Sequence, residues 1–142
     1  MVDEDLLRRK LSLLSRTIVK LEKYRDLSLS ELTGNEERRD AIERALHVAV
    51  QACLDIGNHV IADLNLREPN DYKDIMAVLT EAGILPQERL EKYKKMAQFR
   101  NIIVHHYDEI DPATILSILR KDLGDLRAFA KTIRDRFRLS ER

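Results

Sequence analysis

Between Asn35 and Leu64 no proline interrupts the chain, and apolar residues recur around much of a helical circumference: Ile42, Ala45, Leu46, Ala49, Ala52, Cys53, Ile56, Val60 and Ile61. A helix that is apolar on most sides has no face to offer water, so it must be surrounded. The other segments are therefore expected to wrap this one. Upstream, Asp3 to Asp26 reads as a helix with Leu7, Leu11, Leu14, Ile18 and Leu21 as a narrow seam. Asp3, Glu4 and Asp5 complement the dipole of its first turn. Leu27 to Asn35 reads as a connector ending in a capping box from Thr33 to Glu36. Downstream, R-E-P-N-D breaks the pattern and a short helix follows over Asp71 to Ala82, closed by G-I-L-P. Gly83 is its C-terminal cap, and Pro86 opens a fourth helix that runs to His106. Asp111-Pro112 starts a fifth, to Arg136, whose apolar side is Ile115, Ile118, Leu119, Leu123, Leu126, Phe129, Ala130 and Ile133. Gly124 within it costs about 1 kcal/mol relative to alanine, and so is expected to mark a close backbone approach. The expectation is one all-α domain over residues 1–142, an antiparallel bundle of about five helices.

Charge narrows the function classes. Lys and Arg balance Asp and Glu at 25 each, giving zero formal net charge, so no global field draws in nucleic acid and any such contact must be local. The lone cysteine, Cys53, sits in the apolar run and reads as a small buried thiol; no disulfide can form within one chain, which fits a reducing compartment. The acidic start M-V-D-E-D-L-L lacks a signal-peptide core, and no apolar run is expected to reach transmembrane length. A cytoplasmic protein is expected.

The fourth helix carries an anomaly. Leu90, Tyr93, Ala97, Arg100, Val104 and Tyr107 recur at three- and four-residue steps and share a face, with Met96 and Ile103 beside it. Arg100 thus stands in an otherwise core-facing stripe. A guanidinium keeps its proton, so it must be paired or must line a cleft open to an anion. His105, His106 and Tyr107 follow closely. On the central helix Arg44, Gln51, Asp55 and Asn58 fall near one line. For Arg44 and Gln51 this reads equally as a solvated face. Asp55, between Leu54 and Ile56, is expected to be the counter-charge that orients Arg100, against the plainer reading of a surface carboxylate.

Other features read blandly. His47 and His59 stand four residues from Glu43 and Asp55, but the paired Glu-x-x-His motifs of a di-iron bundle are missing, and no metal or other cofactor is expected. His106 should diverge from His105, as adjacent helical residues do. Lys92, Lys94, Lys95, Lys131, Arg134, Arg136 and Arg138 are interleaved with acids and read as a solvated face rather than an RNA track.

Arg100, His105 and Tyr107 form the pattern R-x4-H-x-Y, here R-N-I-I-V-H-H-Y. With the blocks E-R-A-L-H-V-A-V-Q-A-C-L-D-I-G-N-H-V-I-A, D-Y-K-D-I-M-A-V-L-T-E-A-G-I-L-P and K-M-A-Q-F-R-N-I-I-V-H-H-Y-D-E-I-D, in that order, the chain resembles the HEPN superfamily. The resemblance is to its HepT-like branch, the toxin half of HepT/MntA toxin–antitoxin pairs. It runs over roughly residues 1–137 with no departure at the motif.

What the resemblance implies is a metal-independent endoribonuclease, dimeric, and neutralised by a minimal nucleotidyltransferase of the MntA kind that adenylylates Tyr107. The residues suit that chemistry. RNA brings its own nucleophile in the 2′-hydroxyl; His105 is the base that takes its proton, and Arg100 holds the scissile phosphate and the charge of its transition state. Tyr107 donates a hydrogen bond to the phosphate, and Asn101, four residues before His105, orients the imidazole. Geometry then sets a condition. At about 100° per residue, His105 points roughly 140° from Arg100 on a regular helix. Either the helix deforms or a second subunit supplies the missing group, and the facing motifs of HEPN dimers imply the second. The alternative is a noncatalytic scaffold that binds a nucleotide for its nucleotidyltransferase partner.

Overall fold

The computed structural model describes residues 2–105 and 110–139, and among these there is no strand. Helices α1 (Glu4–Glu22), α2 (Leu29–Thr33), α3 (Glu36–Asp63), α4 (Tyr72–Glu81), α5 (Leu90–His105), α6 (Pro112–Ser117) and α7 (Leu123–Phe137) follow in order. A 3₁₀ turn, Gln87–Arg89, leads into α5, and a π-helical turn, Ile118–Asp122, joins α6 to α7.

The long apolar helix is the hub: α3 packs against α1, α2, α4, α5 and α7. Its buried residues, Ile42 through Ile61, spread over most of its surface, and each fully buried Leu, Ile or Val stabilises the bundle by about 1.5–3 kcal/mol relative to exposure. By length and composition α3 is also apolar enough to cross a bilayer, contrary to the expectation above. More than half of its most apolar stretch is buried inside the bundle, which is where that apolarity is used.

Polar ties show how the helices run. The Asp63 carboxylate, at the end of α3, accepts from the Asp3 amide before α1 at 2.9 Å, and Lys10 meets Asp55 at 3.1 Å. Rising numbers on α1 thus meet falling numbers on α3, the signature of an antiparallel pair. On the other side of α1, Arg127 Nε donates to Glu22 at 2.9 Å, and Arg134 reaches the Leu11 carbonyl and Ser15, so α7 also runs antiparallel to α1.

Three local expectations need correction. The connector after α1 contains α2, whose capping box is Ser28 with Glu31 (3.1 Å in both directions), while Asn35 rather than Thr33 caps α3. Serine and asparagine accept an amide hydrogen as readily as threonine, and hydrogen-bonding partners, not spacing, decided between them. The fifth helix is not uniform, because the π turn divides it. Gly124 is not a contact point either, since a Cβ there would meet nothing within 4 Å; the close approach is at Gly57, where a Cβ would stand 2.5 Å from Ile75 Cγ2 and 3.3 Å from Leu79 Cδ1. Gly83 is confirmed as the cap after α4, with φ at +76°.

Candidate functional site

Tyr93 and Ala97 on α5 are fully buried, and Tyr93 packs edge-on against Phe129 with ring centres 5.7 Å apart. One turn further on, the same stripe delivers Arg100 to a half-buried position. There the wall opposite is polar: Gln51 on α3 accepts from Arg100 Nε through Oε1 at 3.2 Å. The guanidinium carbon sits 4.5 Å from the centre of the Tyr72 ring, close enough for a cation–π contact.

Tyr72 is the first residue of α4, and its place is set by the turn before it. Asp71 caps the helix by accepting from the Asp74 amide at 2.8 Å, and Arg67 forks onto Asp74 at 2.8 and 2.9 Å and onto Glu81. The Arg67 hydrogen bonds, helped by the Asn70 amide, hold the Asp74 carboxyl down at about 2. A first turn tied this firmly presents Tyr72 as a fixed platform.

Asp55 does not touch Arg100. Its Oδ2 accepts from Lys10 at 3.1 Å and its Oδ1 accepts from Gln51 Nε2 at 2.9 Å. The expected Asp55–Arg100 ion pair is therefore replaced by a chain, Lys10 to Asp55 to Gln51 to Arg100. The reason is reach: Gln51, one turn before Asp55, is the residue level with Arg100, and Lys10 on α1 takes the carboxylate instead. Gln51 is consequently not the solvated residue of the plainer reading. Arg100 itself has no ion pair among the described residues.

Asn101 Oδ1 lies 3.5 Å from Arg100 Nη1, at the limit of a hydrogen bond, so it leans toward the arginine and not, as expected, toward His105. His105 is the exposed last residue of α5. The helix stays α-helical through His105, so the predicted separation of roughly 140° from Arg100 is not removed by bending. His106 and Tyr107 lie outside the described residues.

His47, one turn before Gln51 on the same line of α3, is half-buried. Burial chiefly, then the charges of Arg44 and Arg100, push its pKa below the usual histidine value, favouring a neutral imidazole beside the arginine. Among the described residues no three of His, Cys, Asp or Glu gather closely enough to hold a metal ion. Glu43 is taken by Arg39 at 3.3 Å. The basic residues of α7 are partly structural: Arg134 is tied to α1, and Lys131 pairs with Asp135 at 2.6 Å. A groove of about 330 Å³ beside the π turn, floored by Leu46, Val50, Met96 and Phe99, includes neither Arg100 nor His105.

Sequence reasoning passed over Tyr72 and Lys10. Gln51 was legible as the residue one helical turn from Asp55; nothing in the spacing links Tyr72 or Lys10 to α5, because those contacts join separate helices.

Comparison with known proteins adds to this geometry. The family model described as "Ribonuclease HepT-like" matches residues 14–133. An mRNA nuclease HepT from Shewanella oneidensis is 26% identical over 131 residues, covering 92% of this chain and 97% of that one. A tRNA nuclease HepT from Aphanizomenon flos-aquae is 27% identical over 132 residues, covering 93% and 90%. Among solved structures, a toxin–antitoxin crystal structure with AMP-PNP superposes with a TM-score of 0.84 at 25% identity, covering 92% of this chain and 98% of its counterpart.

Proposed function

Because this chain belongs to the ribonuclease HepT-like family, we propose that it is an RNA-cleaving toxin, a metal-independent endoribonuclease working as a homodimer. Its site is built from Arg100 of one subunit and the partner subunit's His105. The observation that carries this reading is Arg100: half-buried, oriented by an amide and an aromatic face, and left with its charge unpaired among the described residues. A desolvated, uncompensated guanidinium is costly unless an anion comes to it, and the phosphodiester of RNA is the anion that the family's chemistry supplies.

In the proposed reaction His105 takes the proton of the 2′-hydroxyl, and the freed oxygen attacks the adjacent phosphorus. The bond to the 5′-oxygen breaks, that oxygen takes a proton from water, and His105 returns the one it took to solvent. A 2′,3′-cyclic phosphate and a 5′-hydroxyl end remain. Arg100 offsets the extra negative charge of the five-coordinate transition state, the kind of electrostatic stabilisation that contributes most to such reactions. The regular course of α5 through His105 supports a site shared between subunits, since one straight helix cannot aim both groups at one phosphate.

Control falls to a nucleotidyltransferase antitoxin of the MntA kind. The neighbouring toxin–antitoxin structure contains an ATP analogue, which is consistent with adenylylation of Tyr107 in this chain. Each AMP adds a phosphate charge where RNA phosphate must sit, blocking the site by bulk and by repulsion. The two relatives are named as an mRNA nuclease and a tRNA nuclease respectively, so both RNA classes belong in the test, and a cytoplasmic activity is part of the proposal.

The test is cleavage of total RNA and of tRNA in EDTA by protein shown by mass spectrometry to carry no AMP on Tyr107. Cleavage leaving cyclic phosphate ends, and at least about a hundredfold less of it with Arg100→Ala or His105→Ala, is the expected result. Silence from unmodified protein on both substrates would overturn the nuclease reading and favour a nucleotide-binding scaffold.

A further inference from the structure

An arginine that must receive a phosphate faces two opposed demands. It has to be held still, because a guanidinium on a long side chain loses entropy when it binds. Yet the strongest clamp, a carboxylate, would neutralise the charge the phosphate needs. Here the negative charge nearest to Arg100 along the hydrogen-bond chain, Asp55, is one residue removed and already satisfied by Lys10 at 3.1 Å. Between them stands an uncharged amide. Gln51 gives Nε2–H to Asp55 at 2.9 Å, which fixes which way the amide faces, and that orientation turns Oε1 toward Arg100 Nε at 3.2 Å. Tyr72 covers one face of the guanidinium at 4.5 Å.

We infer that Gln51, aligned by Asp55 and Lys10 and aided by the Tyr72 ring, is the positioning residue of Arg100, holding the guanidinium in one orientation without neutralising it. The inference rests on Arg100 being the phosphate-binding group of the reading above, and it adds a direction to that reading. With Nε engaged by Gln51 and one face covered by Tyr72, the fork left for two parallel hydrogen bonds is the Nη1–Nη2 end. Among the described residues only the weak 3.5 Å contact from Asn101 competes there. The scissile phosphate therefore approaches along the long axis of the Arg100 side chain, not from its flank.

Two substitutions separate orientation from charge. Gln51→Ala removes the acceptor. Gln51→Glu keeps an acceptor of the same length but sets a negative charge directly on the arginine; it also gives up the donor to Asp55, so that the ion pair with Arg100 takes over the alignment. Three readouts apply to the full-length dimer. One is hydrogen exchange of the Arg100 Nε–H, followed by nitrogen-15 NMR and assigned from its loss in Arg100→Lys. The others are affinity for a 2′-O-methyl RNA oligonucleotide, which cannot be cut, and cleavage in EDTA. In Gln51→Ala the Nε–H should exchange about tenfold faster, the factor expected for losing one hydrogen bond to a charged group. Cleavage should fall by about ten- to a hundredfold, chiefly in kcat, and should fall no further when Gln51→Ala is added to Arg100→Ala, because the residue acts only through the arginine. In Gln51→Glu the exchange should stay slow while oligonucleotide affinity drops. Tyr72→Phe, which keeps the ring, should behave as the natural protein, and Tyr72→Leu should not.

Unchanged Nε–H exchange in Gln51→Ala would overturn the inference, as would Gln51→Glu binding the oligonucleotide as tightly as the natural protein. If the natural protein cuts no RNA, the nuclease reading fails by itself. The exchange and affinity measurements still decide whether Gln51 positions Arg100.

Discussion

At the scale of single residues, the two helical glycines separate what a chain position costs from what a packing position requires. Gly57 lies where α3 and α4 meet, and any Cβ there would stand 2.5 Å from Ile75 Cγ2. Ile75 cannot swing that methyl away, because a β-branched side chain has essentially one allowed rotamer in a helix. Gly57→Ala is therefore expected to destabilise by about 1–3 kcal/mol through overpacking, despite alanine's better helix propensity. Gly124 has open space where its Cβ would be, so Gly124→Ala should stabilise by about 0.5–1 kcal/mol. Urea denaturation of the two variants checks the pair: opposite signs are predicted, and equal signs would mean that propensity alone governs both sites. The same scale explains Arg100. Its stripe position is readable from spacing, whereas its partner is Gln51, a single helical turn before the expected Asp55. Spacing along α3 places Gln51 and Asp55 on one line but does not say which of them is level with α5.

At the scale of elements, Ile110 at the entrance to α6 is anchored by α3. Arg39 Nη2 donates to the Ile110 carbonyl at 2.7 Å while its Nε meets Glu43 at 3.3 Å, and both Ile110 and Glu43 are buried. This ties Ile110, the residue before the Asp111 cap of α6, to the first half of α3. Arg39→Ala is expected to destabilise by about 1–3 kcal/mol, mostly by leaving the Glu43 carboxylate buried without its partner. Adding Glu43→Gln should recover part of the loss, and thermal melts of the single and double variants measure it. Equal melting temperatures for Arg39→Ala and the natural protein would show that the tether carries no weight. Helix ends elsewhere were mostly legible, because caps are local: Asp111 is the cap that its place before Pro112 predicts, whereas Asp3 and Asp71, expected as the first residues of their helices, are the caps just before them. The exception, α2, is five residues long, too short for periodicity to register.

At the scale of the whole molecule, the proposed function asks Arg100 and His105 to serve one phosphate. Within one chain the first is half-buried against α3 and α4, and the second is exposed at the end of α5. A twofold dimer with a shared site makes a sharp prediction. Arg100→Ala and His105→Ala proteins, inactive separately, should regain about a quarter of natural activity when unfolded and refolded together in equal amounts. Half of the dimers are then mixed, and each mixed dimer has one intact site of two. A mixture as inactive as its components would mean that each site lies within one chain.

The sequence by itself determined the all-α class, the centrality of the apolar helix, most helix ends and the family with its R-x4-H-x-Y motif. Each of these depends on residues close together in the chain or on periodicities of 3.6, and such signals survive without knowledge of the fold. Only the tertiary structure decided that Gly57 and not Gly124 is the tight contact, that Tyr72 lies under Arg100, and that Lys10 draws Asp55 away so that Gln51 meets the arginine instead. Those outcomes are set by the relative height and rotation of helices packed side by side, and a shift of one turn, about 5.4 Å, exchanges one partner for the next.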